Sequence, residues 1–181
     1  MAKRESNIER NKWVVGLLAL KDTDHVLEVG YGPGLAIGFV AKQLSNGKIT
    51  GIDHSKVMFK QASQRNREDI ATGKVKLLTG PVNSLTNTSQ KFDRIFSSNV
   101  VQFWEHPIEV FTKLRGLLKD DGVIATQLMP RTKASTAKGA EQAGENIAQW
   151  LHQAGFTNIR IERKQLKKYG AVCVLASNSK S

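Results

Sequence analysis

The chain predicts an α/β fold: a doubly wound, mostly parallel sheet with helices on both faces. Two observations predict it. Short apolar runs such as VLEV, KITGID and VKLL alternate five times with helix-spaced stretches, and that alternation builds parallel sheets through right-handed crossovers. The first run then opens into YGPG, so that Gly30, Gly32 and Gly34 follow it directly. In such sheets the loops at the carboxyl ends of the strands are where ligands bind.

Each element has its own local reason. Residues 8–20 place Trp13, Val14, Leu17, Leu18 and Leu20 at helical spacing, and residues 1–21 are expected as a helical cover. The first strand is 26–29. A helix over 35–44 follows, with Ile37, Val40, Ala41 and Leu44 as its apolar stripe. Asn46-Gly47 breaks the chain before a second strand, 48–53, which ends in Asp53. Ser55 is an N-cap for a helix reaching about Ala71, and Gly73 stops it. Strands over 75–78 and 92–97 come next. Pro107 starts a helix that turns Val110, Phe111, Leu114, Leu117 and Leu118 inward. Lys119 to Gly122 reads as a turn, and 123–128 as the fifth strand. The polar, small and basic segment 130–141 is expected to be a mobile loop on the substrate side. A helix to Ala154, ended by Gly155, leads into strands 158–163 and 171–176, which are expected to form an antiparallel hairpin.

At 181 residues the chain, 1–181, is expected to form one domain with one substantial core. Bulk composition excludes more than it selects. No apolar run reaches the eighteen or so residues that span a bilayer, and MAKRESNIERNKW lacks a secretory signal's apolar stretch. The cytoplasm is therefore the expected compartment, with no membrane partner. Cys173 is the single cysteine and lies in the apolar run AVCVLA, so a buried thiol is expected and no disulfide. His25, His54, His106 and His152 are scattered, so no metal site is expected. The formal charge of +11 is spread through both halves and favours anionic partners without choosing among them. Nucleic acid is thus possible, though not favoured.

The glycine loop discriminates among ligands. A dinucleotide loop, G-x-G-x-x-G from Gly30, would need glycine at position 35, where leucine stands. No Gly-Lys-Ser/Thr follows, which excludes a P-loop. Glu28, just before the loop, would repel a pyrophosphate and attract an ammonium group, with a backbone nest or a neighbouring lysine as its alternative partner. Asp53 ends the second strand, where a carboxylate can accept hydrogen bonds from both hydroxyls of a ribose. Together they ask for a nucleoside with a cationic amino-acid tail.

With EVGYGPG, then GIDHS, then LLKDDGVI in that order, the sequence resembles the class I S-adenosylmethionine-dependent methyltransferases, in particular the members that act on small molecules. The resemblance runs from about Trp13 to the end of the chain. It implies a seven-stranded Rossmann-like sheet and S-adenosylmethionine as cofactor, with S-adenosylhomocysteine as product. It further implies that Glu28 influences the amino group of the cofactor's tail through the loop or a water, and that Gly30, Tyr31, Gly32 and Gly34 form the cradle. Asp53 would hold the ribose, with His54 and Met58 near the adenine. Family members often carry Asp or Asn near position 80; Gly80-Pro81-Val82 stands here, leaving the Val82 backbone for that contact. Ser97, Ser98 and Asn99 would close the methionine side, bordered by Val100 or Phe103.

A methyltransferase needs no protein nucleophile, because the sulfonium already activates the methyl group. The protein's tasks are to align the acceptor and exclude water. His106 and Glu105 are candidate bases where the acceptor is protonated, and both could equally flank the helix at Pro107. Trp13, Tyr31, Phe103 and Trp104 are the candidate walls of a substrate pocket, with core packing as the alternative. A small-molecule acceptor is the leading expectation. An RNA or protein methyltransferase using the basic surface, and a cofactor-binding module without turnover, are the alternatives.

Overall fold

The computed structural model describes residues 2–85, 91–130, 137–166 and 169–179. Its centre is one seven-stranded sheet in the order β3-β2-β1-β4-β5-β7-β6. The strands are β1 (His25–Val29), β2 (Lys48–Asp53), β3 (Val75–Thr79), β4 (Phe92–Ser98), β5 (Leu118–Leu128), β6 (Thr157–Leu166) and β7 (Tyr169–Ser177). The first five are parallel, while β7 runs antiparallel to both β5 and β6. The expected architecture is therefore the observed one, closing hairpin included. Strand order reverses between β1 and β4, which makes the crevice above their carboxyl ends the binding position of this fold.

Helices cover both faces. On one face α5 (Pro107–Leu117) and α6 (Ala137–Gln153) bury Phe111, Leu114, Ile147 and Leu151 against Leu27, Ile95 and Val174. On the other, α1 (Ala2–Leu17), α2 (Leu35–Ala41) and α3 (Lys56–Arg65) bury Val14, Leu18, Ile37, Val40 and Ala62 against Val26, Phe96 and Ala125. Phe96 and Phe111 are both fully buried; each such side chain contributes about 1.5–3 kcal/mol of transfer free energy. Cys173 is also fully buried, and desolvation pushes its thiol pKa up to about 12.

Several boundaries differ from the sequence reading, each for a visible reason. The helix expected over 55–71 breaks at Asn66. Its Nδ2 donates to the carbonyls of Gly34 and Ala62, and a separate short helix, α4 (Arg67–Ala71), follows. Lys119 to Gly122 is not a free turn. It is an irregularity inside β5, where pairing slips between Phe92↔Leu118 and Arg94↔Val123 and Asp121 takes φ 62°. The first helix starts at Ala2 and ends at Leu17, earlier than expected at both ends. Residues 137–141 belong to α6, and the rest of the expected loop, 131–136, lies outside the described residues. So do Lys167 and Lys168 of the hairpin connection; Tyr169 and Gly170 are already in β7.

Candidate active site at the carboxyl ends of β1, β2 and β4

The loop after β1 is shaped by what packs on it. Gly30 has φ 74°, and a Cβ there would collide with Val100 Cγ2, so the glycine lets the exit of β4 lie against the exit of β1. Its N–H donates to the Ile52 carbonyl at 2.7 Å. Gly34 caps α2 at φ 75°, where a Cβ would come within 2.6 Å of Asn66 Nδ2 and 2.7 Å of the Ala62 Cβ. Beside Gly32 nothing lies within 4 Å of a hypothetical Cβ. The backbone there faces open space that a ligand could enter.

Asp53 ties the two strand ends together. Its Oδ2 accepts from the Gly32 N–H at 2.9 Å and its Oδ1 from the Ser55 N–H at 2.9 Å. Each carboxylate oxygen keeps further acceptor capacity for a diol. His54 stands in solvent with its Nδ1 3.9 Å from Asp53 Oδ1. Ser55 caps α3 by accepting from the Met58 N–H, and Met58 is half-buried against the α1–α2 core. Gly80 donates its N–H to the Asp53 carbonyl at 2.9 Å, and Val82 opens a single 3₁₀ turn beside it.

Glu28 is the unusual member. It is 2% exposed and its Oε2 is buried with no hydrogen-bond partner. Burial, and then the charge of Asp53, hold its pKa well above the usual carboxylate range; Arg10 and the Ile37 backbone N–H at the start of α2 pull it partly back. Four more unpartnered buried atoms lie at the ends of neighbouring strands: Ser97 Oγ, Asn99 Nδ2, Thr126 Oγ1 and Gln127 Nε2. Asn99 takes φ 57°, donates its N–H to the Gln127 carbonyl and accepts the Met129 N–H on Oδ1 at 2.7 Å. The Met129 N–H thereby fixes which end of the amide is oxygen, leaving its NH₂ as the free donor. Native interiors rarely leave polar groups unpaired, so a cluster of them at the binding end of the sheet fits a polar, charged ligand. The carboxylates, the open backbone at Gly32 and this cluster together fit S-adenosylmethionine.

The expected substrate walls are only partly assembled. Tyr31 does not line a pocket mouth. It is 3% exposed, its hydroxyl donates to the Leu78 carbonyl at 3.2 Å, and its ring lies over Gly51, where a Cβ would come within 2.6 Å of Cδ1. Trp104 packs edge-on against Phe111 with centroids 5.2 Å apart, so it is joined to the core under α5. Trp13 is half-buried and bridges the α1 core to a small cluster of Met129, Leu166 and Ala171 at the end of β5. Phe103 is 74% exposed. Glu105 and His106 are both exposed, and His106 is the N-cap of α5 without a side-chain cap bond.

Sequence reasoning passed over Arg10 and Gln127. Gln127 is fully buried, and its Oε1 accepts from Ser98 Oγ at 2.7 Å. Nothing in ATQLMP distinguishes it from an ordinary strand residue, because its neighbour is supplied by pairing with β4. Arg10 is 7% exposed. Its only trace in the sequence is a place four residues before Val14 on an apolar helical stripe.

Fold and site fit an α/β protein with room for a nucleoside bearing a charged tail at the strand-order switch. A family model described as a methyltransferase domain matches residues 26–122, more than half of the chain. The chain belongs to that family and is a class I S-adenosylmethionine-dependent methyltransferase. It is 26% identical over 166 residues to YdaC of Bacillus subtilis (strain 168), an uncharacterised methyltransferase, covering 92% of this chain and 90% of that one. Of two further curated relatives it spans 48% and 45% of the length. Among solved structures, the [4+2]-cyclase SpnF superposes with a TM-score of 0.77 at 17% identity, over 96% of this chain and 82% of that one. Phosphoethanolamine N-methyltransferase 2 of Haemonchus contortus, in complex with phosphomonomethylethanolamine and S-adenosylhomocysteine, also gives 0.77, at 13% identity over 95% and 53%. Among the described residues no helix is long and apolar enough to cross a membrane.

Proposed function

We propose that this methyltransferase acts on a small-molecule acceptor, bound where β4 and β5 end beside the glycine loop. The observation that carries the proposal is the set of unpartnered buried groups at those ends, Asn99 Nδ2 and Gln127 Nε2, next to the apolar cluster of Trp13 and Met129. The described chain is used almost entirely by the sheet and its covering helices, and the ends of β4 and β5 are taken as the place for an acceptor.

When bound, S-adenosylmethionine supplies a methyl group already activated on sulfur. The residues of this chain then have positioning roles. Asp53 accepts from the ribose hydroxyls while holding Gly32 in place. Glu28 faces the ammonium of the tail, and the Gly30–Gly34 backbone lies along the amino-acid portion, with Tyr31 supporting the loop from below. His54, Met58, Gly80 and Val82 border the adenine, while Ser97 and Asn99 close the methionine side. Trp13 and Phe103 flank the acceptor. Holding the acceptor in line with the sulfur–methyl bond removes most of the entropic barrier. His106 takes a proton only from acceptors that carry one at the reacting atom, with Glu105 beside it.

Isothermal calorimetry with S-adenosylhomocysteine tests the cofactor site, and incubation of a small-metabolite fraction with methyl-labelled cofactor tests the acceptor class. Label in the small-molecule fraction is the expected result. Label confined to macromolecules would end the small-molecule reading.

A further inference from the structure

The tail of the cofactor is a zwitterion, and Glu28 answers only one of its charges. Arg10 is the only lysine or arginine among the buried polar and charged residues of the described chain. The direction of α1 decides where it lies. At the amino end of the sheet, the Leu18 carbonyl accepts from Arg94 Nε at 3.0 Å, and Arg94 pairs with Val26. At the other end, Glu9 pairs with Lys164 at 3.4 Å, and Trp13 packs on Met129 beyond the end of β5. The amino-terminal half of the helix therefore lies toward the carboxyl ends of the strands, and the helix runs down from there to their amino ends. Arg10, Val14 and Leu18 are spaced by four and share one face. Eight residues of helix rise about 12 Å, and the four strand residues from Arg94 to Ser98 rise about 13 Å. Arg10 thus stands at the level of Gly30 and Ser98, one pleat beyond Glu28.

We propose that Arg10 receives the carboxylate of the cofactor's methionyl tail, so that Arg10 and Glu28 form a paired site for the zwitterion. The inference rests on the methyltransferase reading above. A guanidinium suits this task because its fork matches a carboxylate with two parallel hydrogen bonds. In the ligand-free protein the charge of Arg10 opposes part of the rise that burial and Asp53 impose on the Glu28 pKa. Once the cofactor enters, each faces the tail group of opposite sign. Because Arg10 belongs to α1, the bound tail also ties that helix to β1.

Ligand truncation tests the assignment on the unmodified protein. Calorimetry compares S-adenosylhomocysteine with its decarboxylated analogue, S-adenosyl-3-thiopropylamine, and with 5′-methylthioadenosine, which lacks the amino-acid tail. Removing the carboxylate is expected to weaken binding about 10- to 100-fold. Arg10→Gln should weaken S-adenosylhomocysteine by the same factor and leave both truncated ligands within about twofold, and Arg10→Lys should restore part of the loss. Equal affinity of the unmodified protein for the acid and its decarboxylated analogue would overturn the proposal. So would a loss in Arg10→Gln shared equally by all three ligands, which marks a structural role. Failure of the unmodified protein to bind S-adenosylhomocysteine at millimolar concentration would instead overturn the cofactor reading itself.

Discussion

Glu28 carries the conflict between stability and function at the scale of one residue. Its folded-state pKa lies above its unfolded value, so the native state holds the proton more tightly. The contribution of Glu28 to stability is complete below the ordinary carboxylate pKa of 4.5 and is lost as pH rises through its raised range. Glu28→Gln should therefore raise the melting temperature of the ligand-free protein at neutral pH and flatten its decline with pH. The same change should weaken S-adenosylhomocysteine binding. Thermal melts across pH 4–8 check the first effect and calorimetry the second; a destabilised Glu28→Gln protein would contradict the account. Both oxygens of Asp53 accept from backbone N–H groups. Asp53→Ala should cost about 1–3 kcal/mol of cofactor binding from the lost charge-assisted bonds. Unchanged affinity would remove Asp53 from the ribose. Both carboxylates were legible in the sequence by type and position. The burial of Glu28 was not, since desolvation depends on what α1 lays over it.

Between elements, the glycine loop works as a joint that two others close upon. Val100 presses on Gly30 from the end of β4, and Asn66 bonds to the Gly34 carbonyl from the end of α3. Gly30→Ala combines a left-handed backbone with a collision and should cost about 1–3 kcal/mol of stability. Adding Val100→Ala should recover the steric part and leave the backbone part, a coupling that a double-mutant cycle in urea measures. Strict additivity of the two changes would show that they do not touch. The spacing of glycines announced a tight turn, but neither partner could be named from the sequence, because each arrives from a distant stretch of chain. The same reason explains the break at Asn66. Helical periodicity runs through it, and only the carbonyl of Gly34, 32 residues away, draws its side chain inward.

For the whole molecule, a ligand that binds only the folded sheet stabilises the native state by mass action. S-adenosylhomocysteine at one hundred times its dissociation constant should add about 2.7 kcal/mol, a rise in melting temperature of roughly 5–10 °C for a chain of this size. Scanning calorimetry with and without ligand measures it; an unmoved transition under saturating ligand would count against a preformed site.

The amino-acid sequence by itself determined the class of fold, the order of strands and helices, and the chemistry of the crevice. Apolar periodicity, caps and turn residues act over a few neighbours, and a linear chain displays them directly. It also displayed Glu28 and Asp53, since each ends or nearly ends a strand whose neighbour must be a binding loop. Tertiary structure alone decided which aromatic rings reach the site. Tyr31 and Trp104 turn into cores, whereas Phe103 stands in solvent. It alone buried Arg10 where its charge acts on Glu28 and left Gln127 and Asn99 with unpaired donors. Those outcomes depend on strand register and helix direction, which are set when distant surfaces pack and bury one another.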